Sequence, residues 1–445
     1  MIKDLDNLYK NYVENKFHKI SALVISFIIT GLFYIFIHQF IRSDFNYEWL
    51  LFILTIISIF IFWLFFKFKY PKNNKNKNGL ILSFYTKNVD EVKLKEKFIR
   101  ELERKLDDVG IKKYFNLIEI KNHHSEFIKN EEDIKKLDKK VNGHLYIYGD
   151  IKKESENNQE IYFIDLRGYV RHLPIPIPVS KELSVDFSTL LPKEFNIDKL
   201  FELRGCKFLS EICVLTVEYI VGAASLLSRN PFLALKLHQV CLSEIDKEVY
   251  KDNKQLKRIQ NKLPILISAE HSLIASIYYL NNIFDKTKEN LLLSLKFNDR
   301  NYDAWLLKGL IDFNVDKNID ESFISIKKAE EYANGKNEWR YSRAFILFFT
   351  GDFQEAYKIC RKIKESSYFG ENETLKQVEE FNLSLLSDQN LNKPQLWFWI
   401  GYLQYFKKND YKKSLEYFQK FINYSNNPFL KEKVNSFLPD IKNRI

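Results

Sequence analysis

The side chains that most often perform catalysis or bind metals are few and scattered in this 445-residue chain. Adjacent histidines occur at His123 and His124, and single histidines at His144 and His172. Imidazole nitrogens are common zinc ligands, but these four residues do not have the spacing of a known zinc motif. We therefore predict surface or structural roles for them and no metal site.

Four cysteines could form disulfides or bind a metal, but no CxxC pair is present. They are Cys206, Cys213, Cys241 and Cys360. All four fall in segments with helical periodicity, and the first two are seven residues apart, on one face of a helix. In a reducing cytosol such cysteines are more often small core residues than disulfides or ligands. The sequence predicts buried, free thiols.

Motifs of common nucleotide, cofactor and hydrolase sites are missing. The chain contains no GxxxxGK[ST] loop, no GxGxxG after a strand, no HExxH and no GxSxG. Glu119 lies in a predicted strand and Glu126 begins a predicted helix, but neither has neighbours that would support catalysis. The sequence assigns no catalytic residue and no cofactor, and it favours a protein that is not an enzyme.

Two long apolar runs, Ile20–Ile41 and Trp49–Phe66, come before any other recognisable element. At about 1.5 Å per residue each approaches the thickness of the bilayer hydrocarbon. Neither run contains a charged residue, and lysines precede the first and follow the second. We predict a multi-pass hairpin in the cell (inner) membrane, with Trp49 and Trp63 as interfacial anchors. Residues 1–19 and everything after the hairpin are then cytoplasmic, and 67–78 form a basic linker.

Short β-like runs alternate with amphipathic helices over residues 79–178. GLILSFYT is followed by a helix over Val89–Val109, a strand over Asn116–Lys121, a helix over Phe127–Val141 and a hairpin. This order, βαβαββ, predicts a compact α/β domain. Alternating prolines at 174, 176 and 178 indicate its end, and we expect 179–197 to be a linker.

The segment ILSFYTKNVDE superficially resembles the opening of the Toll/interleukin receptor fold. That resemblance would imply an NAD-cleaving effector, because the family includes such enzymes. It covers only the first strand and helix, and it assigns no catalytic glutamate. A domain that senses a ligand or assists assembly is the other interpretation.

Everything after residue 197 is predicted to be helical, with small residues recurring at helix crossings. Separations of 53, 34, 35 and 57 residues join Gly222, Ala275, Gly309, Ala344 and Gly401. The two inner steps match the period of a tetratricopeptide repeat, and the outer ones leave room for extra helices. Further matches are Trp305, Ser322, Ala329, Gly351, Ala356, Ser414 and Phe418. Residues 198–445 therefore resemble a tetratricopeptide-repeat superhelix, as in a membrane-anchored bacterial member of that superfamily.

The resemblance implies a concave groove, lined by the first helix of each repeat, where a partner peptide or helix docks. Its predicted aromatic lining is Tyr341, Phe345, Phe348, Phe398, Trp399, Tyr402 and Tyr405. Such rings are favoured interface anchors. The alternative is that they pack against neighbouring helices or a capping segment.

Charge and topology together define the predicted function. Half of the net charge of +10 belongs to residues 1–78, so the remainder does not call for a nucleic-acid partner. We predict a membrane-anchored scaffold that contacts the bilayer through residues 20–66 and binds a partner protein through its repeats. The sequence leaves open whether the chain forms a homo-oligomer. The alternative is a sensor-effector whose α/β domain binds or cleaves a nucleotide, or whose hairpin perturbs the membrane.

Overall fold

The computed structural model describes most of the chain, in nine segments. They are residues 20–40, 48–73, 77–156, 159–171, 177–193, 195–246, 254–365, 371–388 and 391–445. The predicted N-terminal segment 1–19, Ile41, His172 and the prolines at 174 and 176 lie outside these residues. The chain divides into two compact units: unit 1 comprises 1–230 with 237–260, and unit 2 comprises 231–236 with 261–445.

Unit 1 begins with two apolar helices, α1 (Ile20–Phe40) and α2 (Glu48–Phe68). Ala22 and Leu23 of α1 pack on Trp63 of α2. Further along, the rings of Tyr34 and Phe52 lie 4.5 Å apart. The two helices therefore run antiparallel. Most of their other large apolar side chains are exposed to solvent, and their membrane insertion stays a prediction.

Among the described residues, two helical stretches are long and apolar enough to cross a membrane by length and composition alone, and neither belongs to α1 or α2. They are Lys199–Leu227 and Leu256–Leu280. The apolar window of the first is 89% buried inside the protein, as in a core helix, and that of the second is 44% buried. Shorter apolar stretches are Ile20–Phe36 and Phe52–Phe65.

A mixed five-stranded sheet follows the two apolar helices, and its strand order is β2-β1-β3-β4-β5. Its strands are β1 (Asn78–Tyr85), β2 (Phe115–Glu119), β3 (Leu145–Glu156), β4 (Gln159–Val170) and β5 (Phe195–Asp198). β1 is parallel to both β2 and β3, whereas β3–β4 and β4–β5 are antiparallel. The helices between the strands are α3 (Val89–Asp108), the single turn α4 (Asn122–Ser125), α5 (Glu131–Val141) and α6 (Ile177–Leu190). The predicted order βαβαββ is present, with a fifth strand added.

The sheet has a core on both faces near β1. On one face, Phe84 of β1 contacts Phe98 of α3, with 5.5 Å between ring centroids. On the other, Ile81 and Tyr146 pack with Ile134 and Leu137 of α5. Helix α5 does not extend over the distal part of β3 and β4, where Lys152 and Glu154 are exposed.

The predicted linker over 179–197 is wrong. Helix α6 covers this region, because a proline such as Pro178 is tolerated in the first turn of a helix. Phe187 is buried so closely over Gly168 that a Cβ at this glycine would lie 2.5 Å from the ring. The Ser184 hydroxyl accepts a hydrogen bond from the backbone N–H of Val170 (2.9 Å). Apolar burial and this hydrogen bond make the segment part of the sheet layer.

Three helices follow in chain order: α7 (Glu202–Leu227), α8 (Pro231–Ile245) and α9 (Lys254–Leu280). The Ser210 hydroxyl of α7 lies 3.3 Å from the carbonyl of Phe98 in α3. Helix α7 therefore covers the α/β layer, although the sequence assigned it to the repeat region beginning at residue 198. Cys206, Cys213 and Cys241 are buried here, and Cys360 is buried in unit 2, which confirms their assignment as core residues.

Unit 2 is an array of helices. After α9 come α10 (Phe284–Phe297), α11 (Tyr302–Asn314), α12 (Ile319–Glu331), α13 (Trp339–Thr350), α14 (Phe353–Lys364), α15 (Glu371–Leu386), α16 (Gln395–Leu403), α17 (Tyr411–Tyr424) and α18 (Pro428–Arg444). A π-helical turn, Gln404–Lys408, extends α16.

Helix pairs in unit 2 cross in a common way. The hydroxyl of Ser322 donates to the carbonyl of Gly309 (2.7 Å), and that of Ser414 to the carbonyl of Gly401 (3.0 Å). A Cβ at Gly309 would lie 2.7 Å from Ile326, so this close crossing requires glycine. These crossings are at the positions that the repeat pattern predicts.

Candidate functional site

Six of the seven predicted groove residues lie inside unit 2 instead of along an open groove. Tyr341, Phe345, Phe348, Phe398, Trp399 and Tyr402 are buried in one apolar cluster. Tyr405 is half-buried, and its hydroxyl donates to Asp440 at 2.5 Å. The prediction that these rings form an accessible binding surface is wrong for the six, and the alternative of helix packing and capping describes them.

Two helices outside the repeat pattern cover the rings. Phe381 of α15 lies 5.1 Å from the ring of Phe345, and the Tyr341 hydroxyl donates to Glu371 of α15 (2.6 Å). At the C-terminal end, the ring of Phe437 on α18 packs on the ring of Tyr402, with 6.2 Å between the ring centroids. Helix α15 occupies part of the 57-residue step that suggested room for an extra helix. Because both helices are apolar on their inner side, they bury the face that would otherwise be the groove.

Buried charges hold α15 in place. Glu379 of α15 accepts hydrogen bonds from Lys408 (2.6 Å), Lys413 (3.3 Å) and the Tyr417 hydroxyl (2.9 Å). Burial alone would raise the pKa of Glu379, but these donors lower it to about 2. Lys407 and Glu371 form a second ion pair at 2.9 Å. These contacts fix α15 to the rest of the array, so the aromatic rings beneath it stay buried.

An uncovered apolar surface lies instead on α9, where the sequence analysis did not place one. Ile265, Leu273 and Leu280 are 58, 44 and 76% exposed, and their spacing of eight and seven residues puts them on one helix face. We call these three residues the α9 stripe. The opposite face of the helix, with Leu263, Ile267 and Ile274, is buried. Apolar residues on both faces of residues 263–280 were the signal in the sequence.

The α9 stripe ends at an open cavity of about 490 Å³. Leu280 belongs to both, and the rest of the lining includes Tyr279, Phe284 and Val315. The side-chain amide of Asn314 donates to the Tyr279 hydroxyl (3.0 Å), which fixes one wall. A stripe with a cavity at its end can hold an apolar helix and one of its large side chains.

A buried polar contact positions this part of α9. The hydroxyls of Ser268 and Ser294 donate to each other's backbone carbonyls, at 2.8 and 2.7 Å. The side-chain amide of Asn301 donates to the Ser268 hydroxyl (2.8 Å). Because all three side chains are buried, the contact fixes the rotation of α9 relative to α10 and therefore which face stays uncovered.

The predicted basic linker 67–78 is packed on the α/β domain over its described residues. The ring of Tyr70 stacks on His124 at 4.0 Å, and His123 Nε2 lies 3.3 Å from the Lys67 carbonyl. The backbone N–H of Asn73 donates to the carbonyl of Val141 (2.9 Å). The end of α2 and the described residues that follow it are therefore packed on the α/β domain.

Among the described residues, the histidines and glutamates considered for chemistry do not converge on one site. Burial lowers the pKa of His124 to about 4, and the neighbouring His123 adds to this effect. The Nδ1 atom of His144 accepts from the backbone N–H of Gly79 at 3.0 Å. Glu119 pairs with Lys95 (2.7 Å), and Glu126 accepts from the Tyr85 hydroxyl (3.3 Å). In the described segments, no three His, Cys, Asp or Glu side chains lie together as a metal site requires.

Comparison with known proteins gives no relative from which a function could be inferred. No protein-family model matches the chain, and neither a curated protein nor a solved structure matches it.

Proposed function

We propose that this protein is a membrane-anchored cytosolic scaffold whose tetratricopeptide-like array binds a helical segment of a protein partner along the α9 stripe. The observation that carries the proposal is the exposed row of Ile265, Leu273 and Leu280 ending at an open cavity. An amphipathic helix docks by laying its own apolar face against an exposed apolar surface of this kind. The seven aromatic residues then stabilise the array, and the stripe provides the contact.

The membrane part of the proposal is supported by the surface of the N-terminal hairpin. Ile28, Phe33, Phe60 and Phe65 are among the large apolar side chains that α1 and α2 expose. Transfer of such a half-exposed side chain from water to hydrocarbon is worth about 1 kcal/mol. The ammonium of Lys67 lies 4.5 Å from the Trp63 ring at the end of α2, where a lysine can reach the lipid head groups. From the distribution of lysines, we place the protein in the cell (inner) membrane with both termini on the cytoplasmic side.

Membrane insertion is tested by ultracentrifugation of a lysate with and without alkaline carbonate. An integral protein stays in the pellet until detergent is added. Recovery of the full-length chain in the detergent-free supernatant would reject the anchor. Protease treatment of sealed inverted vesicles then tests orientation: digestion of residues beyond 68 is expected, and their protection would reject the proposed topology.

Partner binding is tested with a photoreactive amino acid at Leu273 in the full-length chain in membranes. The matched control carries it at Ile324, which is 51% exposed on the outer helix α12. We expect a discrete cross-linked product from Leu273 that Leu280→Asp abolishes, because a carboxylate would be buried in the contact. Equal products from both positions, or a product insensitive to Leu280→Asp, would contradict the proposal. Cross-linking to a second copy of this chain would identify the occupant as a homo-oligomer partner.

A sensor-effector is the second candidate, and the packed exit of the hairpin favours it. Because Tyr70 stacks on His124 and Asn73 bonds to Val141, a change in the α/β domain would be transmitted to α2. Growth arrest on overexpression that is abolished by Tyr70→Ala, with normal membrane levels, would favour the effector. Unimpaired growth together with a specific Leu273 cross-link would favour the scaffold.

A further inference from the structure

We propose that the uncovered face of strands β3, β4 and β5 binds a mononucleotide, with Phe163 stacking on the base and Lys152 and Lys193 binding the phosphate. This site belongs to unit 1 and does not depend on the helical array. We call it the sheet-face site: Lys152, Glu154, Phe163, Lys193 and Asn196.

The strand register brings three of these side chains into one row. Phe163 of β4 is the cross-strand partner of Lys152 on β3 and of Asn196 on β5. Partners in an antiparallel sheet share a face, and neighbouring strands are about 4.8 Å apart. The phenyl ring therefore lies between an ammonium group and an amide that can hydrogen bond to the edge of a base.

The same face forms an open cavity of about 690 Å³. Lys193 and Glu154 line it together with the three residues of the row. Small-ligand sites typically have volumes of about 300 to 1,000 Å³. The cavity can therefore hold one nucleotide, and it lies where α5 leaves the sheet uncovered.

Charge pairing leaves specific groups available to a ligand. Asp150 pairs with Lys129 (3.3 Å), and Asp165 pairs with Arg167 (2.7 Å). The side chains of Lys152, Lys193 and Glu154 have no ion-pair or hydrogen-bond partner among the described residues. Two such cations suit a phosphate, and one carboxylate suits ribose hydroxyls, which acidic side chains bind in nucleotide sites.

Phe163 distinguishes a nucleotide from a simple anion. Inorganic phosphate would use the lysines but would gain nothing from a phenyl ring on an otherwise polar sheet face. An aromatic base gains affinity by stacking, and every base offers a flat face for it. A long single-stranded nucleic acid would need a continuous basic groove, whereas Asp150, Glu154 and Asp165 interrupt this surface with acidic groups.

The usual position for a phosphate in such a sheet is occupied by the protein itself. The strand order reverses at β1 and β3, where open α/β sheets commonly bind ligands. There the buried Glu91 carboxylate accepts the backbone N–H groups of Lys87, Asn88 (3.2 Å) and Lys153 (2.9 Å). A phosphate cannot share those donors with a carboxylate, so an anionic ligand of this domain must bind elsewhere.

The test is isothermal titration of the full-length protein in detergent with AMP, adenosine and ribose 5-phosphate. We expect AMP to bind more tightly than either fragment, because only AMP uses both Phe163 and the lysines. Phe163→Leu, which keeps an apolar side chain, and Lys152→Gln should each weaken AMP binding by about tenfold or more. The control Lys327→Gln removes an exposed lysine of unit 2 and should leave the affinity unchanged.

Several outcomes would overturn the proposal. If Phe163→Leu and Lys152→Gln both bind AMP as tightly as wild type does, the nucleotide binds elsewhere. No AMP binding at millimolar concentration would reject the site. Inorganic phosphate that displaces AMP and binds equally well would reduce it to an anion site, and oligo(A) that binds without competition from AMP would indicate a nucleic-acid surface. Far-ultraviolet circular dichroism of each variant verifies that the fold is retained.

Discussion

Replacement of Glu218 by glutamine tests how far the core of unit 1 is built around a neutral carboxylic acid. Glu218 lies on α7 and is fully buried, and both of its carboxylate oxygens have no hydrogen-bond partner among the described residues. Burial, together with a smaller contribution from Glu244 and against the opposing effect of Lys105, raises the pKa of Glu218 to about 8. The folded protein therefore holds this side chain protonated at neutral pH.

The size of the effect follows from the two protonation equilibria. In the unfolded chain the carboxyl ionises around pH 4.5, whereas in the folded chain it ionises around pH 8. Because the folded pKa is the higher one, stability is fully present below pH 4.5 and is lost as the pH rises through 8. At about 1.4 kcal/mol per pH unit, and less within a unit of either pKa, the loss between pH 5 and pH 8 is about 3 kcal/mol. A neutral glutamine has no such dependence.

The assay is thermal unfolding of the full-length protein in detergent, with wild type and Glu218→Gln compared at pH 5 and pH 8. For a unit of this size, about 3 kcal/mol corresponds to a shift of roughly 6 to 12 °C. We expect the variant to gain that much over wild type between the two pH values. The control is Glu96→Gln on the exposed side of α3, which should follow wild type. A difference between wild type and Glu218→Gln that stays constant with pH, or that shrinks as pH rises, would refute the reasoning.

Two further predictions concern the contact between Tyr70 and His124, and the sheet. His124→Phe keeps an aromatic ring stacked on Tyr70. Because burial lowers the pKa of His124 to about 4, the folding stability of wild-type unit 1 should fall by up to about 3 kcal/mol as the pH falls from 6.5 to 4. The variant should lose less in the same melting assay, and identical acid profiles would contradict this. Gly149→Ala would put a Cβ 1.7 Å from the Asp165 carbonyl oxygen, so we expect a loss of at least about 3 kcal/mol. Limited proteolysis measures this loss of stability. If the Gly149→Ala variant resists the protease as well as wild type does, strands β3 and β4 can move apart at no cost and the prediction is wrong.

Local patterns in the sequence predicted the elements that depend on local rules. The alternation and periodicity over residues 79–170 gave the strands and helices of the α/β domain in their correct order. The small residues at Gly309 and Gly401 marked crossings that the structure forms with Ser322 and Ser414. Cysteine burial also followed from helical spacing. These features are predictable because periodicity and residue volume act between neighbours on one element or within one helix pair.

Segments with weaker local signals were predicted less well. The prolines before α6 indicated a linker, since a sequence alone does not distinguish the first turn of a helix from an extended segment. The strand β5 has only four residues, and its pairing with β4 provides the hydrogen bonds that define it. Glu218 was not singled out, because a glutamate in an apolar helix gives no sign of whether it meets a partner.

By itself, the sequence determined which residues are apolar, most of the helices and strands they form, and where helices can approach closely. Only the tertiary structure decided which apolar faces are covered. Phe345 and Tyr402 are buried because α15 and α18 pack over them, whereas Ile265 and Leu280 stay exposed because no described helix covers that side of α9. The physical reason is that burial depends on contacts between elements distant in the chain, and a hydrophobic side chain has the same identity in a core and on a binding surface.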